Sequence, residues 1–140
     1  MLLKDYAPEY VAQVLGGGAE HGIAREIVSF IEKYPKTRQI TIQLVRQLTP
    51  GGEKGNLDIA IVKTLQVLAG EHLRLLDTKF ELIDQEDVPH DLSDEEIHAA
   101  IAHSINPLTG HEEHGIRSRI LMYFAPEVDT PERLQEVFVD

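Results

Sequence analysis

Apolar residues in the N-terminal half of the chain recur at helical spacing. Pro8 suits a first helical turn and the triple glycine that begins at Gly16 suits a helix end, which together predict a short helix over about residues 8–15. A second helix is predicted over about residues 20–34, where the apolar positions follow the i, i+4, i+7, i+8 rule of a single stripe. Pro35 ends this second helix.

Residues 39–48 fit two structures. The β-branched alternation from Ile40 to Leu44 is typical of a strand, but apolar and polar side chains separate onto opposite sides of a helical wheel, which favours a helix. After a glycine-rich loop, Asn56 is placed to cap a further helix that runs to about residue 76. This helix is apolar nearly all round, so we expect it to be the buried centre of the domain.

Residues 79–83 begin the C-terminal half with a short extended piece or turn. Ser93, followed three residues later by Glu96, has the sequence of a capping box. The helix that this box opens should run to about Ser104, because the Asn-Pro pair that follows is typical of a break.

Two more helices are predicted near the C-terminus, over about residues 112–124 and 130–138. The predicted fold class is therefore all-α, as a compact single-domain bundle of about six to seven helices. The alternative is a small α/β Rossmann-like unit with strands near residues 10–15, 39–45 and 79–83.

Charge divides the chain into two unequal halves. Residues 1–77 hold nine basic and nine acidic side chains, whereas residues 78–140 hold four basic and fifteen acidic ones. The strongly acidic half therefore carries the whole formal net charge of −11. Within it, residues 80–116 contain no Lys or Arg but five of the seven histidines.

The densest part of this acidic half predicts an interaction surface. Seven carboxylates without neighbouring cations repel one another over a Debye length of roughly 8 to 10 Å, and a basic partner would relieve that repulsion. We therefore expect a non-enzymatic binding or regulatory module, comparable in charge to inhibitors, immunity proteins or adaptors, that engages a basic protein partner. The predicted partner-binding residues are Asp84, Glu86, Asp87, Asp91, Asp94, Glu95 and Glu96.

An alternative function is a small enzyme with a metal site. Glu95 and His98 form a Glu-x-x-His motif on one predicted helix, which is half of the pattern that di-iron bundles carry twice. His111 and His114 could add ligands from the next helix, and imidazole with carboxylate suits zinc, iron or manganese. Because the full pattern needs a second motif and further glutamates, no metal or other cofactor is expected.

A second alternative function is nucleotide binding through the turn that spans residues 16–22. The segment around Gly16, Gly18 and Gly22 is similar to the first strand-turn-helix of Rossmann-type dehydrogenases. That resemblance implies backbone N–H groups able to hold a pyrophosphate at a helix start. The glycine spacing departs from the G-x-G-x-x-G motif, and a helix end followed by a tight turn explains the same residues.

Composition excludes further classes. The chain lacks cysteine, and therefore disulfides and a thiol nucleophile, and it shows no nucleophile-elbow, phosphate-loop or HExxH sequence. A pI near 5.0 argues against nucleic acid as a partner. No window approaches the roughly 20 apolar residues of a membrane span, so a soluble, cytoplasmic protein is expected.

Overall fold

The computed structural model describes residues 1–139 and divides the chain into two compact units. Unit 1 consists of Met1–Asp77 with Phe124–Asp140, and unit 2 consists of Thr78–Tyr123. The all-α prediction is wrong, because six helices accompany a three-stranded antiparallel sheet in the described chain, with 48% helix and 17% strand. Two of the strands carry the chain across the boundaries between the units.

Unit 1 is built around helices whose apolar faces form one core. The predicted helix over residues 20–34 is confirmed, and the one over 8–15 begins five residues earlier than expected. The helical reading of residues 39–48 is confirmed from Ile42 onward, with the Thr41 hydroxyl accepting the cap bond from the Leu44 N–H. The helices of this unit are α1 Leu3–Leu15, α2 Glu20–Lys33, α3 Ile42–Leu48, α4 Asp58–Ala69 and α6 Thr130–Arg133.

Helix α4 is shorter than predicted at its C-terminal end. It stops at Ala69 because Gly70 adopts an extended conformation (φ −67°, ψ 167°) and Arg74 has a positive φ of 49°. The apolar residues that follow still enter the core, but from a turn and from the start of a strand. Asn56 caps nothing, since the N-cap position is Leu57 and no side chain makes the cap bond.

The triple glycine ends α1 instead of connecting a strand to a helix. Gly16 occupies the left-handed cap position with a φ of 87°, and the Gly17 N–H donates to the Ala12 carbonyl. Residues 10–15 are helical, and residues 39–45 contain only one isolated bridge, from Ile40 to Phe124. The Rossmann-like alternative is therefore wrong in two of its three strands.

Unit 2 contains most of the sheet and one regular helix. The extended piece predicted at residues 79–83 is confirmed as part of β1. Antiparallel β1 and β2 pair in a register that sets Glu81 opposite Asp91 and Ile83 opposite Pro89, and β1 is the central strand of the order β2-β1-β3. The elements are β1 Leu76–Ile83, β2 Pro89–Asp91, α5 Asp94–His103 and β3 Ile120–Pro126.

The helix predicted over residues 112–124 is wrong. Gly115, with a φ of 81°, leads into one 3₁₀ turn at Ile116–Arg119, and the apolar run that follows is strand β3. A short run of apolar and aromatic residues satisfies either structure, and pairing with β1 selects the strand. The last predicted helix is also shorter, since α6 ends at Arg133 and not at Phe138.

Candidate functional site: the acidic surface of unit 2

Asp84 organises the turn between β1 and β2. One carboxylate oxygen accepts from the backbone N–H groups of Glu86 and Val88 at 2.8 and 2.9 Å, and the other lies 2.8 Å from Nε2 of His90. These bonds hold the pKa of the Asp84 carboxyl below its usual value, and the bond with His90 has the largest effect. Asp84 therefore stabilises the hairpin that displays its neighbours.

Asp91 and Glu96 also have structural partners. The Tyr123 hydroxyl donates to Asp91 at 3.0 Å. The pKa of Tyr123 is raised, mainly by burial and secondly by the Asp91 carboxylate. The predicted capping box is confirmed: the Ser93 N–H donates to Glu96 at 3.0 Å, and the Glu96 N–H donates to the Ser93 hydroxyl at 3.2 Å. The box starts α5 where the sequence placed it.

Four of the predicted partner-binding carboxylates have no such role. Glu86 and Asp87 lie in the β1–β2 turn, whereas Asp94 and Glu95 lie in the first turn of α5. All four side chains are exposed, and none forms an ion pair with a Lys or Arg among residues 1–139. Asp94 and Glu95 gain from the positive end of the helix dipole, but that effect leaves their charges facing solvent. We refer to these four residues as the free acidic set.

The cations of unit 2 cannot neutralise this charge. Unit 2 has ten carboxylates against three Lys or Arg, a formal net charge of −7. Arg119 forms an ion pair with Glu113, whose other oxygen accepts from the Asn106 amide at 3.2 Å. Arg117 donates to the Ile101 carbonyl at 2.5 Å. The negative potential is therefore concentrated in one small unit.

The alternative metal ligands do not converge. Glu95 and His98 lie on α5, while His111 and His114 lie in the loop that follows, and all four side chains are exposed. Across residues 1–139, no three His, Asp or Glu side chains are arranged so that they could hold a metal ion. His114 lies 4.0 Å from a carboxylate oxygen of Glu112, and the shorter contact of this type, between His90 and Asp84, belongs to the β1–β2 turn.

The alternative nucleotide site also lacks a suitable geometry. Gly16 and Gly18 lie in the turn after α1, and Gly22 lies inside α2. A carboxylate oxygen of Glu20 is 3.1 Å from the position that a Gly18 Cβ would take, so a negative group already lies beside the turn. Such a neighbour opposes phosphate binding.

Sequence reasoning missed an apolar groove in unit 2. Residues that are distant in sequence enclose about 230 Å³ between one face of the sheet and the C-terminal part of α5. Ile101 and Met122 are each 42% exposed, which is unusual for neighbouring large apolar side chains. The apolar run of β3 was the available signal, but it lay in a segment predicted to be helical. The groove is lined by Phe80, Ile101, Arg117, Ile120 and Met122.

Comparison with known proteins adds no functional assignment. No family model, curated protein or solved structure matches the chain at a significant level. No helix among residues 1–139 has both the length and the apolar character needed to cross a membrane.

Proposed function

We propose that the chain is a binding or regulatory module whose acidic unit 2 engages a basic protein partner. The observation that carries this proposal is the free acidic set, four exposed carboxylates that remain after every local structural role has been assigned. Uncompensated like charges on one small unit cost folding free energy, and a basic partner removes that cost on binding.

The geometry also supports fast and selective association. Unit 2 displays its charges on a hairpin fixed by Asp84 and on a helix fixed by the Ser93–Glu96 box, so the carboxylates are held in place before binding. Pre-organised surface charge steers a partner of opposite sign and disfavours acidic competitors, with less effect on final affinity.

Affinity capture with matched variants tests the proposal. The unit-2 neutral variant removes the four charges of the free acidic set with near-isosteric amides: Glu86→Gln, Asp87→Asn, Asp94→Asn and Glu95→Gln. The unit-1 neutral variant makes the same change in net charge at exposed positions of unit 1: Glu9→Gln, Glu26→Gln, Glu53→Gln and Glu71→Gln. Asn at position 87 suits the positive φ of 62° found there.

The proposal expects that basic proteins captured by the wild-type chain from extracts of its native host are lost with the unit-2 neutral variant and kept with the unit-1 neutral variant. Raising the salt from about 50 to about 500 mM should weaken capture steeply, because exposed charges are screened beyond a Debye length. Mass spectrometry quantifies both effects. Equal retention by the two variants would remove unit 2 as the binding surface.

A further inference from the structure

The two edges of the sheet are protected to different degrees. Strand β2 has only three residues, and Pro89 and Asp91 protect it because proline lacks a donor and a charge opposes pairing with another strand. Strand β3 has seven residues and carries no charge and no proline before Pro126. Its side chains at Leu121 and Met122 are 50% and 42% exposed. Native proteins seldom leave an edge of this kind uncovered.

Backbone groups of β3 are open along this edge. Phe124 exchanges both of its backbone hydrogen bonds with Ile40, at 2.6 and 3.1 Å, so its N–H and C=O point away from β1. Because strand geometry alternates, the N–H and C=O groups of Met122 and Ile120 point toward the same outer edge. Among residues 1–139, Met122 forms no backbone hydrogen bond with a turn or loop, whereas the Ile120 N–H donates to the Arg117 carbonyl. The open groups of this edge are therefore the N–H and C=O of Met122 and the C=O of Ile120.

The apolar groove lies beside the same two residues. Ile120 and Met122 project their side chains from one face of β3, where they line the groove together with Phe80 and Ile101. A strand added at the edge would place alternate side chains over this face. The open backbone and the open groove can therefore accept one extended segment, which supplies hydrogen bonds to the edge and an apolar side chain to the groove.

Charge decides what that segment is. A second copy of the chain would bring another unit with a net charge of −7 next to the first, at distances where screening is incomplete. A basic segment would instead be attracted to unit 2, because the carboxylates of this unit outnumber its Lys and Arg residues by ten to three. Charge complementarity thus favours a basic partner over self-association.

The geometry points to β-strand addition: the basic partner contributes an extended segment that pairs with the outer edge of β3 and inserts an apolar side chain into the groove. This inference rests on the proposed function and specifies how the partner binds. The hydrogen bonds would give affinity without sequence preference, and the groove would select the apolar position.

A defined peptide tests this mode. The probe is a peptide of about five residues, short enough to pair with the part of β3 that precedes Phe124, in which lysine alternates with valine or isoleucine. Two isomers of this peptide carry the same number of backbone N-methyl groups. The first isomer carries them on its apolar residues, and the second carries them on its lysines. In a strand these two sets face opposite edges, so strand addition requires one isomer to lose about tenfold or more in affinity while the other keeps it. If electrostatic attraction alone holds the peptide, both isomers should bind with the same affinity.

Hydrogen exchange and two matched variants give independent readouts. Binding of the unmethylated peptide should slow amide exchange at Met122, whose N–H points to the open edge, more than at Ile120, whose N–H already donates to the Arg117 carbonyl. Met122→Thr, which shortens a groove side chain, should weaken the peptide severalfold. Leu121→Thr is the control, because Leu121 has similar exposure but projects from the opposite face of the same strand.

The outcomes separate this inference from the proposed function. In one outcome, peptide binding is salt-sensitive and is lost in the unit-2 neutral variant, but the two methylated isomers bind equally well. That result would overturn strand addition and leave the proposed function intact. Failure of the unmethylated peptide to bind at low salt would contradict both. Sedimentation could also show that the chain dimerises through β3 and that the peptide does not disrupt the dimer. That result would overturn the choice of a basic partner.

Discussion

Apolar burial is concentrated in unit 1, and polar side chains organise unit 2. Every residue of the main core cluster belongs to unit 1, from Leu3 in α1 to Leu134 after α6. Unit 2 lies wholly within the described residues, and only four of its apolar residues are buried: Leu82, Ala100, Ile116 and Tyr123. Its turn, its helix start and its loop depend instead on Asp84, the Ser93–Glu96 box and the Asn106–Glu113–Arg119 contacts.

This difference shows that acidic residues of one surface can have two roles. Three of the seven predicted partner-binding carboxylates stabilise unit 2 itself, and four face solvent without a partner among the described residues. Neutralising the first group should damage the fold, whereas neutralising the second should affect only interactions. The proposed binding surface therefore consists of the second group.

The largest expected effect concerns the core of unit 1. Leu65 is fully buried in α4, so Leu65→Ala should lower the free energy of unfolding by about 2 to 5 kcal/mol through lost burial and a residual cavity. Ile59→Ala on the same helix is the control, because that side chain is 74% exposed and should change stability by less than about 0.5 kcal/mol. Urea unfolding followed by circular dichroism measures both. Equal losses would mean that α4 does not stabilise unit 1 by burial.

A smaller effect is expected at the polar start of α5 in unit 2. Ser93→Ala removes one side of the capping box and should cost about 1 kcal/mol. Ser29→Ala is the control, since Ser29 is exposed within α2 and caps no helix. Amide exchange in α5 should accelerate with the first change and stay constant with the second. Unchanged exchange at Ala99 and Ala100 would show that the box does not stabilise this helix.

The smallest effect concerns pH and the hairpin of unit 2. Because the folded-state pKa of Asp84 lies below the usual value of 3.8, its contribution to stability is present above that value and is lost as the pH falls through the lowered pKa. Asp84→Asn keeps an acceptor for the turn but cannot titrate, so stability should fall less between about pH 5 and 2 than in the wild type. Unfolding at several pH values measures this. Parallel curves for the two proteins would remove Asp84 from the acid response.

The sequence predicted elements that depend on local chemistry. The capping box, α2 and the helical character of residues 42–48 each follow from neighbours within one or two turns, and the structure contains all three. Strand β3 was missed because its apolar run also fits a helix, and only pairing with β1 decides between the two. The end of α4 was missed because a single internal glycine does not by itself end a helix.

The candidate site was predictable only in part, for the same reason. Composition located the acidic surface, but which carboxylates serve the fold depends on contacts such as that between Asp91 and Tyr123, which are 32 residues apart. The groove requires α5 and two strands to meet, and no local pattern encodes that meeting. Long-range pairing therefore separates what the sequence predicted from what the structure adds.

The central claim is that unit 2, and not unit 1, engages basic partners, and chemical-shift mapping tests it most directly. The unmethylated lysine-rich peptide is titrated into isotope-labelled protein, and amide shifts are compared at about 50 and about 500 mM salt. The account predicts shifts confined to residues 78–123, strongest near the free acidic set and β3, which collapse at the higher salt. Shifts of equal size across residues 1–77, or shifts in unit 2 that salt leaves unchanged, would contradict it.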